Sequence, residues 1–221
     1  MAAGPRRLLV VPLGSLEQHG PHLPLDTDTR IAAAVAAAAC ASRPGVGLAP
    51  PVAVGASGEH ADFPGTLSIG TAALTTLLVE LGRHASLHWP AMLLVNGHGG
   101  NTPAITAAAE RLRGEGRGCH VWHAGVPGGD AHAGRTETSL MLALAPDDVL
   151  LAAAAPGETR PVTVIMPALR ARGVRAVSPN GVLGDPRGAC AEQGARLLEL
   201  LTADLNRTLD SLLADAGGSG R

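Results

Sequence analysis

The segment from Glu17 to Asp28 holds two histidines and three carboxylates, together with two prolines and a glycine. Imidazole and carboxylate groups in one short segment are the ligands of a divalent transition metal such as zinc, iron or manganese. The alternative is a solvated loop in which Asp26 or Asp28 only caps the helix that follows. The density of ligand-type side chains favours the metal site.

Two further loops carry groups of the same kind. His98 lies among three glycines in the segment 96–101, where the missing side chains let the backbone approach a ligand closely. His132 and Glu137 lie near one another after a third glycine-rich stretch. Each has a structural alternative, since His98 could cap the next helix and Glu137 could be a first-turn carboxylate that favours the helix dipole. A serine or cysteine nucleophile is not indicated, because no Gly-x-Ser-x-Gly elbow occurs and the three cysteines lie outside these loops.

The composition excludes several classes of function. The chain has 221 residues, a net charge of −2 and 17 basic residues, all of them arginine, without a basic stripe. We therefore expect no binding to nucleic acid. Glycine and proline interrupt the apolar stretches, so we expect no membrane-spanning segment and no membrane partner. Three scattered cysteines without a Cys-x-x-Cys pair fit a reducing compartment, and the expected location is the cytoplasm.

Apolar runs and helical periodicity alternate along the chain. The runs predict strands at 8–13, 46–54, 91–95 and 119–123, and a strand-like segment at 161–166. Helices are predicted at 29–42, 71–87, 102–113, 136–144 and 189–213. This alternation predicts one α/β domain over residues 1–221, a three-layer α/β/α sandwich around a mainly parallel sheet. In such a sheet the ligand-rich loops leave the same carboxyl edge, which would bring together Glu17, His19, Asp28, His98, His132 and Glu137.

Four motifs together resemble the creatininase family of metal-dependent amidohydrolases. They are Glu-Gln-His-Gly-Pro-His-Leu-Pro at 17–24, Asp28, Asn-Gly-His-Gly-Gly-Asn at 96–101 and His-Ala-Gly-x-x-Glu-Thr-Ser at 132–139. Stretches at 23–36, 56–60, 63–70 and 177–186 are most similar to the branch of the family that trims a modified precursor peptide in mycofactocin biosynthesis. The resemblance implies a creatininase-like fold and a homo-oligomer, for which a hexamer is one expected size.

The resemblance also implies a metal centre. It would hold one or two divalent metals per subunit, Fe²⁺ or Zn²⁺, with Mn²⁺ as a third candidate. Glu17, Asp28 and His98 would hold the first ion. His19 and Asp28 would hold the second, so that Asp28 bridges the two. His132 matches the family's catalytic histidine, which would act as a proton shuttle.

One position departs from the pattern of creatininase itself. Creatininase has a glutamate where this chain has Gly100, so the second ion lacks a ligand. Glu137 is the expected substitute, with a part in both metal binding and catalysis. The expected substrate contacts lie in or beside the same loops: His22, His60, Phe63 and Asn180.

The expected reaction is hydrolysis of an amide bond. A metal-bound water attacks the carbonyl carbon, and His132 delivers a proton to the leaving nitrogen. In the peptidase branch the released product is the Val-Tyr-derived unit at the C-terminal end of the precursor peptide. A small-molecule amidohydrolase of the creatinine or formamide type is the alternative enzyme, and a metal-free binding protein on the same fold is the non-catalytic alternative. The segments 57–66 and 178–187 are expected to decide between substrates.

Overall fold

Four parallel strands form the centre of the fold in a computed structural model, which describes residues 5–218 and the side chains up to residue 214. They are β1 (Leu8–Leu13), β2 (Val46–Leu48), β3 (Ala91–Asn96) and β4 (Gly118–His123), in the order β2-β1-β3-β4. Leu13 pairs with Asn96, and Asn96 pairs with His123, so β1, β3 and β4 end level with one another. The loops that follow these strands therefore leave at one edge of the sheet.

Helices cover both faces of this sheet. They are α1 (Thr27–Cys40), α2 (Gly70–Ala85), α3 (Thr102–Gly114), α4 (Arg135–Leu144), α5 (Val162–Arg172) and α6 (Ala191–Gly218), with single 3₁₀ turns at Gly58–His60, Gly99–Asn101, Pro146–Asp148 and Leu151–Ala153. Successive residues of a strand point to opposite faces, so Val10 packs in a core with α1, α4 and α6, whereas Val11 packs in a core with α2 and α3. The predicted three-layer α/β/α sandwich with a parallel sheet is confirmed. Among residues 5–218, no helix combines the length and the apolar character needed to cross a bilayer.

Two predicted strands differ from the structure. The segment 46–54 is a strand only at Val46–Leu48, because Pro50 and Pro51 have no N–H to donate, and an isolated bridge joins Val52 to β1. The strand predicted at 161–166 was wrong, since α5 begins at Val162. Its β-branched residues favour a strand locally, but Ile165 lies one helical turn before Leu169, and the two are buried in one cluster away from the sheet.

Candidate metal centre

Three segments at the carboxyl edge of the sheet carry the predicted ligands. Glu17 and His19 lie in the loop after β1, and Asp28 is the second residue of α1. His98 lies two residues beyond the end of β3, and its backbone N–H and carbonyl both contact the side chain of Asn96, the last residue of that strand. His132 and Glu137 flank the first residue of α4. The level ends of the parallel strands explain why these separate segments meet.

Asp28 lies at the middle of this cluster. Its Oδ1 is 3.1 Å from His19 Nε2, and its Oδ2 is 3.2 Å from His98 Nδ1. The hydroxyl of Ser15 donates to Oδ2 at 2.7 Å and fixes the plane of the carboxylate. Burial tends to raise the pKa of Asp28, but the adjacent His19 outweighs it and holds that pKa well below its usual range. Asp28 is therefore an anion that presents one oxygen to each of two imidazoles.

Glu17 is completely buried and faces three imidazoles. Its Oε2 is 3.1 Å from His98 Nε2, while its Oε1 is 3.4 Å from His60 Nε2 and 3.7 Å from His132 Nδ1. Among the described residues, none donates a well-directed hydrogen bond to either oxygen. Burial raises the pKa of Glu17 to about 7. A buried carboxylate without a directed donor costs folding energy, and a bound cation is the partner that removes this cost.

The charge balance of the cluster favours a cation as well. Four carboxylates converge here: Glu17, Asp28, Glu59 and Glu137. In the described part of the chain no arginine forms an ion pair with any of them, and the sequence contains no lysine. Burial alone would lower the pKa of His19, but Asp28 beside it raises that pKa to about 10. The negative potential of the carboxylates stabilises a proton on His19, and it also favours a divalent ion. Imidazole and carboxylate groups are ligand types that such an ion prefers.

Three overlapping sets of donors lie within ion-binding reach of one another, with all ligand atoms of each set within 4.8 Å. The sets are Glu17–His19–Asp28, His19–His132–Glu137 and Glu17–His60–His132. The first set consists of three predicted ligands, and the second joins two predicted ligands to His132, the predicted proton shuttle. The predicted ligand His98 belongs to none of these three sets. The third contains His60, which the sequence predicts as a substrate contact. His60 Nδ1 lies 2.9 Å from the amide nitrogen of Gln18, which donates to it, so the ring hydrogen is on Nε2, 3.4 Å from Glu17 Oε1 but not directed well enough for a hydrogen bond.

The start of α4 holds Glu137 toward His19. Asp130 accepts hydrogen bonds from the backbone N–H groups of Arg135 and Thr136, at 2.7 and 2.9 Å, and so fixes the first turn. Glu137 Oε2 accepts a hydrogen bond from Ala133 N at 2.6 Å and lies 3.9 Å from His19 Nε2. Burial raises the pKa of Glu137 to about 7. Because Asp130 already satisfies the helix start, Glu137 is available to the cluster.

The other predicted substrate contacts occupy different surroundings. His22 is buried, and its Nε2 lies 2.9 Å from the hydroxyl of Thr138, so it contacts the buried side of α4. Asn180 Oδ1 accepts hydrogen bonds from the Ser178 hydroxyl and from Val182 N, at 2.8 and 3.2 Å, and so closes its own turn. Both side chains thus form hydrogen bonds that stabilise the local structure. None of these contacts involves a carboxylate of the metal centre.

Phe63 lies in the segment between Gly58–His60 and α2. It is half-buried and packs on the α5 cluster, with the guanidinium of Arg175 5.3 Å from its ring centroid. Its position is thus beside the cluster that contains Ile165, rather than within the set of metal-type donors.

Sequence reasoning missed two residues that contact the cluster. Gln18 points its amide nitrogen at His60 and at the carbonyl of Gly181, 3.1 Å away, and so joins the loop after β1 to the segment 178–187. Glu59 places Oε1 3.3 Å from His98 Nε2. Gln18 stands between two predicted ligands in the first motif, and Glu59 directly precedes His60. Those adjacencies were the available signals, but the contact of Glu59 with His98 becomes visible only in three dimensions.

Comparison with known proteins identifies the family. The chain matches the family model described as creatinine amidohydrolase over residues 2–209. A mycofactocin precursor peptide peptidase of Mycolicibacterium smegmatis is 56% identical over 196 residues, which are 86% of this chain and 79% of the relative. A creatinine amidohydrolase of Pseudomonas putida is 30% identical over 228 residues, which cover 87% of this chain and 85% of the relative.

Solved structures of creatininases are similar to this chain as well. A structure named "Creatininase Mn" is 27% identical, with a TM-score of 0.74, and the match covers 93% of this chain and 90% of that one. A mutant creatininase described as Zn-Zn type is also 27% identical, with a TM-score of 0.75 and the same coverage. The family match, the shared fold and the convergent donors agree with one another. The chain therefore belongs to the creatininase family and is a hydrolase of amide-type C–N bonds.

Proposed function

We propose that this chain is a metal-dependent peptidase that releases the Val-Tyr-derived unit from the C-terminal end of the modified precursor peptide of mycofactocin biosynthesis. The observation that supports hydrolysis at this site is the buried Glu17 carboxylate, which no well-directed donor satisfies in a cluster without arginine. The observation that supports this substrate is the 56% identity to a protein named for it, against 30% to a creatinine amidohydrolase.

The centre binds one or two divalent ions in this proposal. Glu17, Asp28 and His98 would hold the first ion, and His19, Asp28 and Glu137 would hold the second. The support for a shared Asp28 is that its two oxygens face different imidazoles. Solved creatininases of Mn and Zn type support a divalent metal in the family. We propose Fe²⁺ or Zn²⁺ as the native ion, with Mn²⁺ as a third candidate.

His132 is the proposed proton carrier. A bound divalent ion supplies a water that is acidic near neutral pH and polarises the carbonyl to be cleaved. The Nε2–H of His132 donates to the backbone carbonyl of Gln18 at 2.9 Å, so the free lone pair is on Nδ1, which points toward Glu17. Burial, with His19 adding to it, holds the pKa of His132 well below its usual range. A proton that Nδ1 accepts from the attacking water would therefore be readily passed to the leaving nitrogen.

Substrate choice is assigned to the two loops that border the centre. Ser57, at the start of one loop, has its hydroxyl 3.4 Å from His98 Nε2, and Gly181 of the other accepts a hydrogen bond from Gln18. Both loops are thus anchored directly to the donor cluster. We further propose a homo-oligomer in the cytoplasm, with a hexamer as the size to test by light scattering.

The test uses the purified full-length chain with the matured precursor peptide and, separately, with creatinine. Mass spectrometry is expected to show release of the terminal unit and no turnover of creatinine. Removal of metal by a chelator should abolish cleavage, and Fe²⁺, Zn²⁺ or Mn²⁺ should restore it. Turnover of creatinine without peptide cleavage would instead support the small-molecule amidohydrolase. Full cleavage by protein shown by elemental analysis to be metal-free would reject the metal-dependent mechanism.

A further inference from the structure

Position 100 has no room for a side chain. A Cβ built on Gly100 meets Glu59 Oε1 and His98 Nε2 at distances that real Cβ atoms do not show, and it lies 2.6 Å from the backbone carbonyl oxygen of Ala56. At Gly99, one residue earlier, a Cβ meets nothing within 4 Å. The tight packing at residue 100 is therefore specific to that position, and the carboxylate of Glu59 fills part of the space that a side chain there would need.

Glu59 is held in place through its backbone. The 3₁₀ turn Gly58–His60 is closed by a hydrogen bond from His60 N to Ser57 O at 3.0 Å. The carbonyl of Glu59 accepts a hydrogen bond from Val174 N at 2.8 Å, which ties the turn to the segment after α5. The side chain is about one third exposed, at 32%, so it lies between the buried donors and the solvent.

Two carboxylates approach one ring nitrogen. His98 Nε2 is 3.1 Å from Glu17 Oε2 and 3.3 Å from Glu59 Oε1, and a ring nitrogen carries at most one hydrogen. One of the two carboxylates therefore lacks a proton donor in this arrangement. Donor atoms that bind one ion at about 2.0–2.2 Å lie roughly 3 Å from one another, which is the separation found here. Each of the two carboxylate oxygens thus lies as far from His98 Nε2 as two ligands of one ion lie from each other.

We propose that Glu59, whose carboxylate occupies space that a side chain at position 100 would need, is a further ligand of the divalent ion held by Glu17 and His98. The inference rests on the metal centre proposed above and deepens it. Glu137 lies on the other side of Asp28, 3.9 Å from His19, and belongs to the second ion. The first ion then has two carboxylates, Glu17 and Glu59, in addition to the proposed shared Asp28, and the second ion has Glu137.

The experiment compares Glu59→Gln with the wild type and with Asp62→Asn. Asp62 is an exposed acidic residue three positions further along the same loop, so it controls for loss of loop charge. Each folded, full-length protein is stripped of metal and titrated with Zn²⁺ against a chelating dye, and elemental analysis counts the ions retained. We expect Glu59→Gln to lose one equivalent or to bind it at least about 100-fold more weakly, which exceeds the usual effect of a residue that only orients a ligand. Asp62→Asn should bind like the wild type.

Co²⁺ absorption separates a ligand from an orienting residue. If affinity falls by only about 10–100-fold, a changed Co²⁺ spectrum supports coordination by Glu59, whereas an unchanged spectrum rejects it. A fall of less than about tenfold also rejects it. When the wild type binds no divalent ion at all, the proposed metal centre fails. When the wild type binds its full complement and Glu59→Gln does the same, only the assignment of Glu59 fails.

A second pair of variants tests the shared space without touching a carboxylate. Gly100→Ala introduces a methyl group where Glu59 and His98 now lie, so it should weaken binding of the same ion. Gly99→Ala is the matched control, because its methyl group enters open space. Wild-type metal affinity in Gly100→Ala would show that Glu59 does not bind the ion from the space beside position 100, and it would overturn the proposal.

Discussion

Two clusters of charged side chains in this protein neutralise their carboxylates in opposite ways. The surface cluster consists of Glu115, Arg83 and Arg117. Glu115 accepts hydrogen bonds from Arg83 Nε at 3.0 Å and from Arg117 Nε at 3.2 Å. The Arg83 guanidinium, aided by Arg117, lowers the pKa of Glu115 to about 2. At the carboxyl edge of the sheet, the basic groups that face Glu17 and Asp28 within the described part of the chain are imidazoles alone.

The difference shows what the buried cluster lacks. All 17 basic residues of the chain are arginines, and those that form ion pairs in the described residues do so with carboxylates other than the four that converge at the centre. An arginine beside Glu17 would satisfy its charge permanently and would occupy the centre. Histidines are neutral metal ligands when deprotonated, so they leave the negative charge available to an ion. The surface cluster is complete without a ligand, whereas the buried one needs a cation.

Among the variants that test this difference, Asp28→Asn is expected to have the largest effect on metal content and turnover. The amide keeps the shape of the side chain but removes the charge that both imidazoles face, so both ions should be lost and turnover should fall by about 10³-fold or more. His19→Ala should lose only one ion, because His19 serves one side of Asp28. Elemental analysis of the two folded variants measures the difference. Equal losses would indicate a single ion, and a greater loss in His19→Ala would reject a bridging Asp28.

Glu137→Gln should have the next largest effect. The amide oxygen still accepts the hydrogen bond from Ala133 N, so the variant should fold normally, yet it should lose one metal equivalent and about 10²-fold or more of turnover. Glu192→Gln is the matched control, because Glu192 is an exposed first-turn carboxylate of α6. If Glu137→Gln keeps its metal and its rate and only melts slightly earlier, Glu137 acts through the helix dipole alone.

Much of the fold follows from local sequence. β1 and β3 are short apolar runs that end in glycine-containing or polar loops, and both features are readable along the chain. α5 was not predictable in this way, since Ile165 and Leu169 are helical because they pack together with Leu183, which lies in a distant segment. Local preference for a strand was overridden by tertiary packing.

The site was predictable where the type of a side chain alone indicates its chemistry. Histidines and carboxylates in the first motif point to metal binding wherever the chain places them. The position of Glu59 does not follow from type, because it depends on the space left by Gly100 in another loop. Likewise, the buried hydrogen bond of His22 to Thr138 depends on how α4 packs. Residues whose role depends on a partner far along the chain need the structure.

Glu17→Gln is expected to change the free energy of unfolding in opposite directions in the metal-free and the metal-loaded protein. In metal-free protein at pH 8 the variant removes a buried charge without a directed donor, so the free energy of unfolding should rise by about 1–2 kcal/mol. In metal-loaded protein the same change should lower it, because binding that stabilises the folded state is weakened. Denaturant unfolding with a chelator and with excess Zn²⁺ gives both values. Destabilisation of the metal-free protein would show that Glu17 is already satisfied without an ion.

The smallest effect should come from Glu115→Gln on the surface. Its arginine partners are long, solvated side chains whose ordering costs entropy, and salt screens their attraction, so such pairs contribute little to stability. The amide still accepts a hydrogen bond from Arg83 or Arg117, and neither arginine becomes buried without a partner. We expect the melting temperature to change by no more than about 2 °C, with unchanged metal content and turnover. Scanning calorimetry at low and at high salt tests this, since any difference should shrink as the ionic strength rises. A large loss of stability or of bound metal would mean that the surface cluster is coupled to the centre, and the contrast between a self-sufficient and an ion-dependent set of carboxylates would not hold.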